Sequence, residues 1–245
     1  MEQITAMRPL PLEGTANTRE LGGYSTSDGF LTKTGRFLRS DKPSGFTERD
    51  RAWLMDYGLA AMIDMRTVNE AASSPDPEWE HVAYYSFPLL DQFNSVPVKV
   101  WLESMSRPMG ESYVDMLRDD GAIFAAILRT ILKTEGCILF HCTSGKDRTG
   151  LLAMLLLGVA GVSEEVILRD YEVTGEYMRE TFAAQRIDMA NNGIFPPDTL
   201  FSSDRSNMLL ALDFIHQNAG SIRDYLHKIG MTDEECDALR ARMLD

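Results

Sequence analysis

With 245 residues, 37 of them Asp or Glu against 24 Lys or Arg, the chain carries a formal charge of −13. Its length suits one α/β domain with a substantial core, and the acidic balance, with no run of basic residues, argues against a nucleic-acid surface or a polybasic membrane patch. Three cysteines, at 137, 142 and 236, make no disulfide framework, and no apolar run reaches the length of a membrane span.

A single domain is expected over 1–245. Residues 1–13, with one early arginine and prolines, do not read as a signal peptide. The chain to residue 27 reads as an irregular opening segment, with Gly22-Gly23 and Asp28-Gly29 as turn signals. Phe30-Leu31-Thr32 and Phe37-Leu38-Arg39 flank Lys33-Thr34-Gly35 and suggest a hairpin at a sheet edge. Thr47 is a plausible N-cap for a helix through Tyr57 that stops at Gly58, and Leu59-Ala60-Ala61-Met62-Ile63 then reads as a buried strand. Residues 71–80 read as a Pro-rich turn, and His81 to Phe87 as a further strand ending near Asp91. A mobile loop is expected over 92–110. From Ser112 to Lys133 the helical spacing is interrupted by Asp119-Asp120-Gly121, which predicts two helices or one that breaks. Helices follow Ser163, extend from Thr174 to Asn191, and recur at roughly 204–218, 221–228 and 232–243, the last opened by the capping box Thr232-Asp233-Glu234-Glu235.

The chemistry concentrates in His141-Cys142-Thr143-Ser144-Gly145-Lys146-Asp147-Arg148-Thr149-Gly150. The apolar run Cys137-Ile138-Leu139-Phe140 before it reads as a buried strand. The run Leu151 to Leu157, continuing to Val162, reads as a buried helix. Strand, tight loop and helix N-terminus make an anion site, because loop amides and first-turn N–H groups converge on one spot. Among those amides and beside Arg148, Cys142 is expected to be held as the thiolate, as cysteines at helix N-termini are. The amides of Thr143, Ser144, Gly145 and Lys146 then hold three oxygens of a phosphoryl group, with Cys142 Sγ in line behind the phosphorus. Arg148 presents a planar fork to two of those oxygens. Thr149 can donate its hydroxyl to the sulfur, and Gly145 permits a turn that a Cβ would obstruct. His141 is expected to hydrogen-bond backbone carbonyls and hold the loop. Asp64 and Arg66, at the end of the 59–63 strand, are expected at the same crevice, beyond the carboxyl ends of a parallel sheet. For Asp64 a structural tie to loop amides or to Arg66 is the competing expectation.

Three rival functions compete with a phosphatase. A nucleotide P-loop fails because position 140 is Phe, where Gly is required, and Asp147 stands where a magnesium-binding hydroxyl belongs. A zinc site fails because Cys137, His141 and Cys142 have no second ligand cluster at the usual spacing. A phosphate-binding sensor or adaptor without turnover is weighed down by the intact Cys142, Asp147, Arg148 and Thr149 set. No metal or cofactor is called for.

His-Cys-x-x-Gly-Lys-Asp-Arg-Thr-Gly resembles the phosphate-binding loop of the tyrosine phosphatase superfamily. More closely, it is similar to the bacterial and fungal protein tyrosine/serine phosphatases typified by the secreted mycobacterial and listerial enzymes. Four further stretches match in order: Asn17-Thr18-Arg19-Glu20-Leu21-Gly22-Gly23-Tyr24, Gly35-Arg36-Phe37-Leu38-Arg39-Ser40, Ile63-Asp64-Met65-Arg66-Thr67 with Glu70, and Arg169-Asp170-Tyr171. Thr18 departs from the pattern, standing where an aromatic is usual. The resemblance implies a mostly parallel central sheet flanked by helices, with residues 174–218 as a helical lid over the site. It also implies phosphomonoester hydrolysis through a phosphocysteine. Leaving-group departure needs a proton donor, and the chain has no clear aromatic-Pro-Asp motif; the resemblance points to Asp147, with Asp64 as the main rival. Lys146 resembles the pattern in phosphoinositide-active relatives, so the expected substrate is a phosphorylated protein or a phosphoinositide. A nucleophilic thiol needs reducing surroundings, which suggests the cytoplasm, although such relatives are sometimes exported without a recognisable signal. No pattern specifies an oligomeric state.

Overall fold

Cys137-Ile138-Leu139-Phe140 lies at the centre of a five-stranded sheet. The computed structural model describes residues 7–90 and 107–244. Its strands are β1 (Arg19–Glu20), β2 (Phe37–Ser40), β3 (Leu59–Asp64), β4 (Ala83–Ser86) and β5 (Cys137–His141), in the spatial order β1-β2-β5-β3-β4. Only β1 is antiparallel to its neighbour. Alternation along β5 sends Ile138 and Phe140 into the larger hydrophobic cluster, and Cys137 and Leu139 into a smaller one on the other face. A strand covered on both faces reads as a continuous apolar run, which is why this stretch shows no polar alternation.

Ten α-helices are described: α1 (Glu48–Asp56), α2 (Val68–Ser73), α3 (Met109–Asp119), α4 (Gly121–Lys133), α5 (Asp147–Ala160), α6 (Glu164–Tyr177), α7 (Arg179–Asn191), α8 (Arg205–Asn218), α9 (Ile222–Lys228) and α10 (Asp233–Leu244). The helix after the motif, α5, is buried on nearly every side, with Leu151, Leu152, Leu155, Leu156 and Leu157 all at 0% exposure. It packs against β5, α6, α9 and α10, so its apolar circumference is explained by neighbours all round. On the opposite face, Leu54 of α1 meets Leu38, Met62 and Leu139. Thr47 and Asp50 form the capping box of α1, and Thr232 and Glu235 exchange the same pair of bonds before α10.

Three expectations change. The proposed 30–39 hairpin does not form: Phe30 and Leu31 are 58% and 59% exposed, and β2 pairs instead with β1 and β5. Phe37 and Leu38 are buried on opposite faces, so β2 belongs inside the sheet rather than at its edge. The 71–80 turn gives up its start to α2, a six-residue helix too short to show a period, capped by Thr67 and Glu70. Within residues 174–218, α8 contributes Met208, Ala211, Leu212 and Ile215 to the main core. The break before Gly121 is real and separates α3 from α4. Asp91 and the expected loop up to residue 106 lie outside the described residues. Among the described residues no helix is long and apolar enough to cross a membrane.

Candidate active site

Parallel pairing sets Ser40 beside His141, and Asp64 beside His141 on the other side. Three strands therefore end together, and the loop 142–146 crosses that carboxyl edge. The loop is held by its carbonyls. Lys42 N donates to Thr143 O, Asn17 Nδ2 donates to Ser144 O at 3.0 Å, and Arg39 Nη2 donates to Gly145 O at 2.8 Å. In a trans peptide the N–H points opposite to the C=O, so the next amides, of Ser144, Gly145 and Lys146, face away from those donors. Gly145 sits at φ +67, and a Cβ there would lie 2.5 Å from Ser40 O, so only glycine fits the turn. The first backbone bond of α5 runs from Gly150 N to Lys146 O, and no side chain caps the helix. Among the described residues the amides of 143–149 donate to no protein acceptor, which leaves a converging set of N–H groups at the positive end of a buried helix.

Cys142 heads this loop and is 1% exposed. Arg148 returns to it from the first turn of α5, with a side chain only 10% exposed. Its guanidinium is aimed by Glu70: Nη1 donates to Oε2 at 2.6 Å and Nη2 to Oε1 at 2.8 Å. Glu70 Oε1 also accepts from Thr143 Oγ1 at 2.5 Å, and Oε2 from the Thr67 amide at 2.9 Å. Partial burial raises the Glu70 carboxyl, but Arg148, the Thr143 hydroxyl and the Thr67 amide outweigh it and hold it at about 2. For Arg148 the same carboxylate, with Cys142 and Asp147 nearby, more than offsets burial and raises its pKa. Sequence reasoning quoted Glu70 only as part of a matching stretch and gave it no role; its capping-box spacing from Thr67 was the available signal, and it points to a helix cap rather than to an arginine anchor. Thr149 Oγ1 is fully buried with no hydrogen-bond partner among the described residues.

The two acidic candidates differ sharply in surroundings. Asp64 is bound to Arg66: Oδ1 accepts from Arg66 N and Nε, and Oδ2 from Nη2 at 2.8 Å. Arg66 is 1% exposed, with its remaining donors on Ser74 O and Asp76 Oδ1. Asp76 accepts in turn from His141 Nε2 at 3.0 Å, while His141 Nδ1 lies 3.2 Å from Cys142 O. The imidazole thus stands between Asp76 and the Cys142 carbonyl and ties the loop to the 64–76 segment. Asp64, Asp76 and His141 bring potential ligand atoms within 4.8 Å of one another, but Arg66 already compensates the carboxylates.

Asp147 faces a cavity of about 640 Å³ that it lines together with Thr143, Ser144, Arg148 and Glu70. Phe182 and Met189 of α7, and Leu200 and Phe201 of the short 3₁₀ turn Asp198–Phe201, form the facing wall. Lys146 is fully buried beneath that wall: Nζ donates to Leu200 O at 2.6 Å, lies 5.7 Å from the Phe182 ring centre, and is 3.6 Å from Asp147 Oδ1.

Behind the loop lies a second set of charges whose contacts sequence spacing could not show. Asp170 of α6 accepts from Arg19 Nε at 3.0 Å, from Tyr24 Oη at 2.9 Å and from Arg39 Nη1, all at 3% exposure or less. Burial alone would raise its carboxyl, yet Arg19 and Arg39 bring it below the usual carboxylate range. Arg19 also donates to the side chain of Asn17, so the two side chains that hold loop carbonyls, Asn17 and Arg39, are tied to one buried carboxylate, Asn17 through Arg19. This explains three charged residues inside otherwise buried strands and helices.

Comparison with known proteins places this geometry. Residues 10–245 match the model of the tyrosine phosphatase family. A tyrosine-protein phosphatase of Nostoc commune is 30% identical over 217 residues, covering 84% of this chain and 74% of that protein. The triple specificity protein phosphatase PtpB of Mycobacterium tuberculosis is 24% identical, covering 98% of this chain and 99% of its own. Among solved structures, P. aeruginosa TpbA aligns with a TM-score of 0.40 at 16% identity, over 91% of this chain and 98% of that one. This chain belongs to the tyrosine phosphatase family of phosphoric monoester hydrolases.

Proposed function

We propose that the protein hydrolyses phosphomonoesters through a phosphocysteine on Cys142. The observation that carries this reading is the loop itself: amides without protein acceptors, a cysteine at one end, and at the other an arginine whose fork is already aimed by Glu70. In the first step Cys142 Sγ attacks phosphorus, the P–O bond breaks, and Asp147 gives its proton to the departing oxygen. In the second step a water attacks, Asp147 takes its proton, the P–S bond breaks, and inorganic phosphate leaves with the thiolate restored. Arg148 and the loop amides gain most where charge spreads over the equatorial oxygens. Thr149 Oγ1, buried and unpartnered among the described residues, is placed in the first turn to donate to the sulfur as it leaves. Asp147 is favoured over Asp64 because both Asp64 oxygens are engaged by Arg66, whereas Asp147 lines the open cavity.

The substrates proposed are phosphotyrosine and, through the width of a 640 Å³ cavity, phosphoserine, phosphothreonine or phosphoinositides. The name of the mycobacterial relative, a triple specificity phosphatase, supports that breadth. Helix α7 and the 198–201 turn act as a lid latched by Lys146, whose ammonium loses its Leu200 partner when they lift. The test is a panel of phosphopeptides and inositol phospholipids with Asp147→Asn, Asp64→Asn and Cys142→Ser variants. Asp147→Asn should lower turnover most for poor leaving groups; if Asp64→Asn does so instead, the acid is misassigned.

A further inference from the structure

Tyr113 Oη of α3 lies 2.5 Å from Asp147 Oδ1 and 2.7 Å from Tyr171 Oη of α6. The two rings meet edge to face with centroids 6.0 Å apart, and both residues are at 1% exposure or less. Helix α8 is tied to the start of α3 by Asn207. Asn207 Oδ1 accepts from the backbone N–H of Gly110 at 3.0 Å. Gly110 permits that approach, since a Cβ there would lie 2.9 Å from Asn207 Cα.

The Asp147 end fixes the direction of this pair. Tyr113 Oη donates its one proton to Asp147 Oδ1, so it meets Tyr171 as an acceptor and Tyr171 donates to it. Burial, and the nearby carboxylate, push both phenols well above their ordinary range, so both keep their protons.

We infer that Tyr171 and Tyr113 form a one-way hydrogen-bond relay that makes Tyr113 the positioning residue for Asp147. The relay keeps Oδ1 as an acceptor, confines the transferable proton to Oδ2, and stabilises the carboxylate that remains once the proton has gone. This rests on Asp147 being the general acid. The charged groups facing Asp147 are Lys146, 3.6 Å away, and Arg148 in its own loop, with Glu70, Arg107, Asp115, Arg118 and Asp119 around the cavity. A change of Tyr113 to Phe leaves all of them in place.

The experiment measures kcat/KM against pH for an alkyl and an aryl phosphate in wild type, Tyr113→Phe, Asp147→Asn and the double variant. Loss of the Tyr113 donor should move the alkaline limb, where Asp147 must still hold its proton, upward by about one pH unit. At the optimum the alkyl phosphate should lose roughly tenfold and p-nitrophenyl phosphate much less, because only the poor leaving group depends on a well-placed proton. KM should stay within about twofold, and on the Asp147→Asn background Tyr113→Phe should cost nothing further. Tyr171→Phe, monitored by thermal unfolding to confirm folding, should shift the limb in the same direction by less. If Asp147→Asn removes the alkaline limb but Tyr113→Phe leaves it in place, the relay is wrong and the acid assignment stands. If Asp147→Asn leaves the limb and the leaving-group dependence intact, the acid assignment fails and the relay with it.

Discussion

Glu70→Gln tests the coupling of local structure to chemistry most directly. Glu70 accepts four hydrogen bonds: two from Arg148, one from Thr143 Oγ1 and one from the Thr67 amide. Glutamine keeps one acceptor oxygen, loses the charge, and turns an amide NH₂ towards a guanidinium. Breaking a buried pair by removing one partner costs about 3–5 kcal/mol, because the other charge is stranded. Arg148 is nearly buried, but the Glu70 side chain is 34% exposed, so water reaches the pair and the cost falls to about 1–2 kcal/mol. For a domain of this size that is a loss of about 2–8 °C in Tm. The effect on catalysis is larger, because a guanidinium displaced by about 1 Å costs on the order of 100-fold. The assays are kcat/KM on p-nitrophenyl phosphate and the affinity for vanadate, with thermal unfolding measured in parallel. A fall of 10- to 100-fold in kcat/KM with weaker vanadate binding is expected. Unchanged or higher kcat/KM, with tighter vanadate, would refute the reasoning, since Glu70 would then be competing with the phosphate for Arg148 rather than aiming it.

Cys142→Ser should abolish turnover on every phosphate ester while phosphate binding persists, read by isothermal titration; retained turnover removes the phosphocysteine. Gly145→Ala places a Cβ 2.5 Å from Ser40 O at φ +67, so a loss of at least about 1–2 kcal/mol and of anion binding together is expected from denaturant unfolding and vanadate titration. Asp170→Asn strands Arg19 and Arg39 and should cost about 3–5 kcal/mol at pH 7. Because the folded Asp170 carboxyl is held below its ordinary value, its stabilisation is present above the normal carboxylate range and is lost as pH falls below it. Urea midpoints between pH 5 and pH 3 should therefore drop more steeply in wild type than in Asp170→Asn, and parallel curves would contradict the assignment.

The amino-acid sequence by itself determined the local units of this protein. A strand buried on both faces, a glycine-bearing loop and an all-apolar helix are written in consecutive residues, so Cys142, Arg148 and the amide cradle between them could be read directly. The break at Asp120 and the Thr232 capping box were legible for the same reason, each resting on contacts within a few residues. Tertiary structure decided which charges meet. Arg66 and Glu70 stand four positions apart with equal claim on the site, and only the packing of α2 sends Glu70 to Arg148 and leaves Arg66 with Asp64 and Asp76. Sheet position was also undecidable locally: Phe37 pairs beside β5 because both its strand's faces are covered by elements far away in the chain. Tyr113 reaches Asp147 across 34 residues of sequence, and Asn207 reaches the Gly110 amide across 97, from a helix that the resemblance assigned to a lid. Hydrogen bonds of that span depend on how helices cross one another, and nothing in the local order of residues carries a crossing.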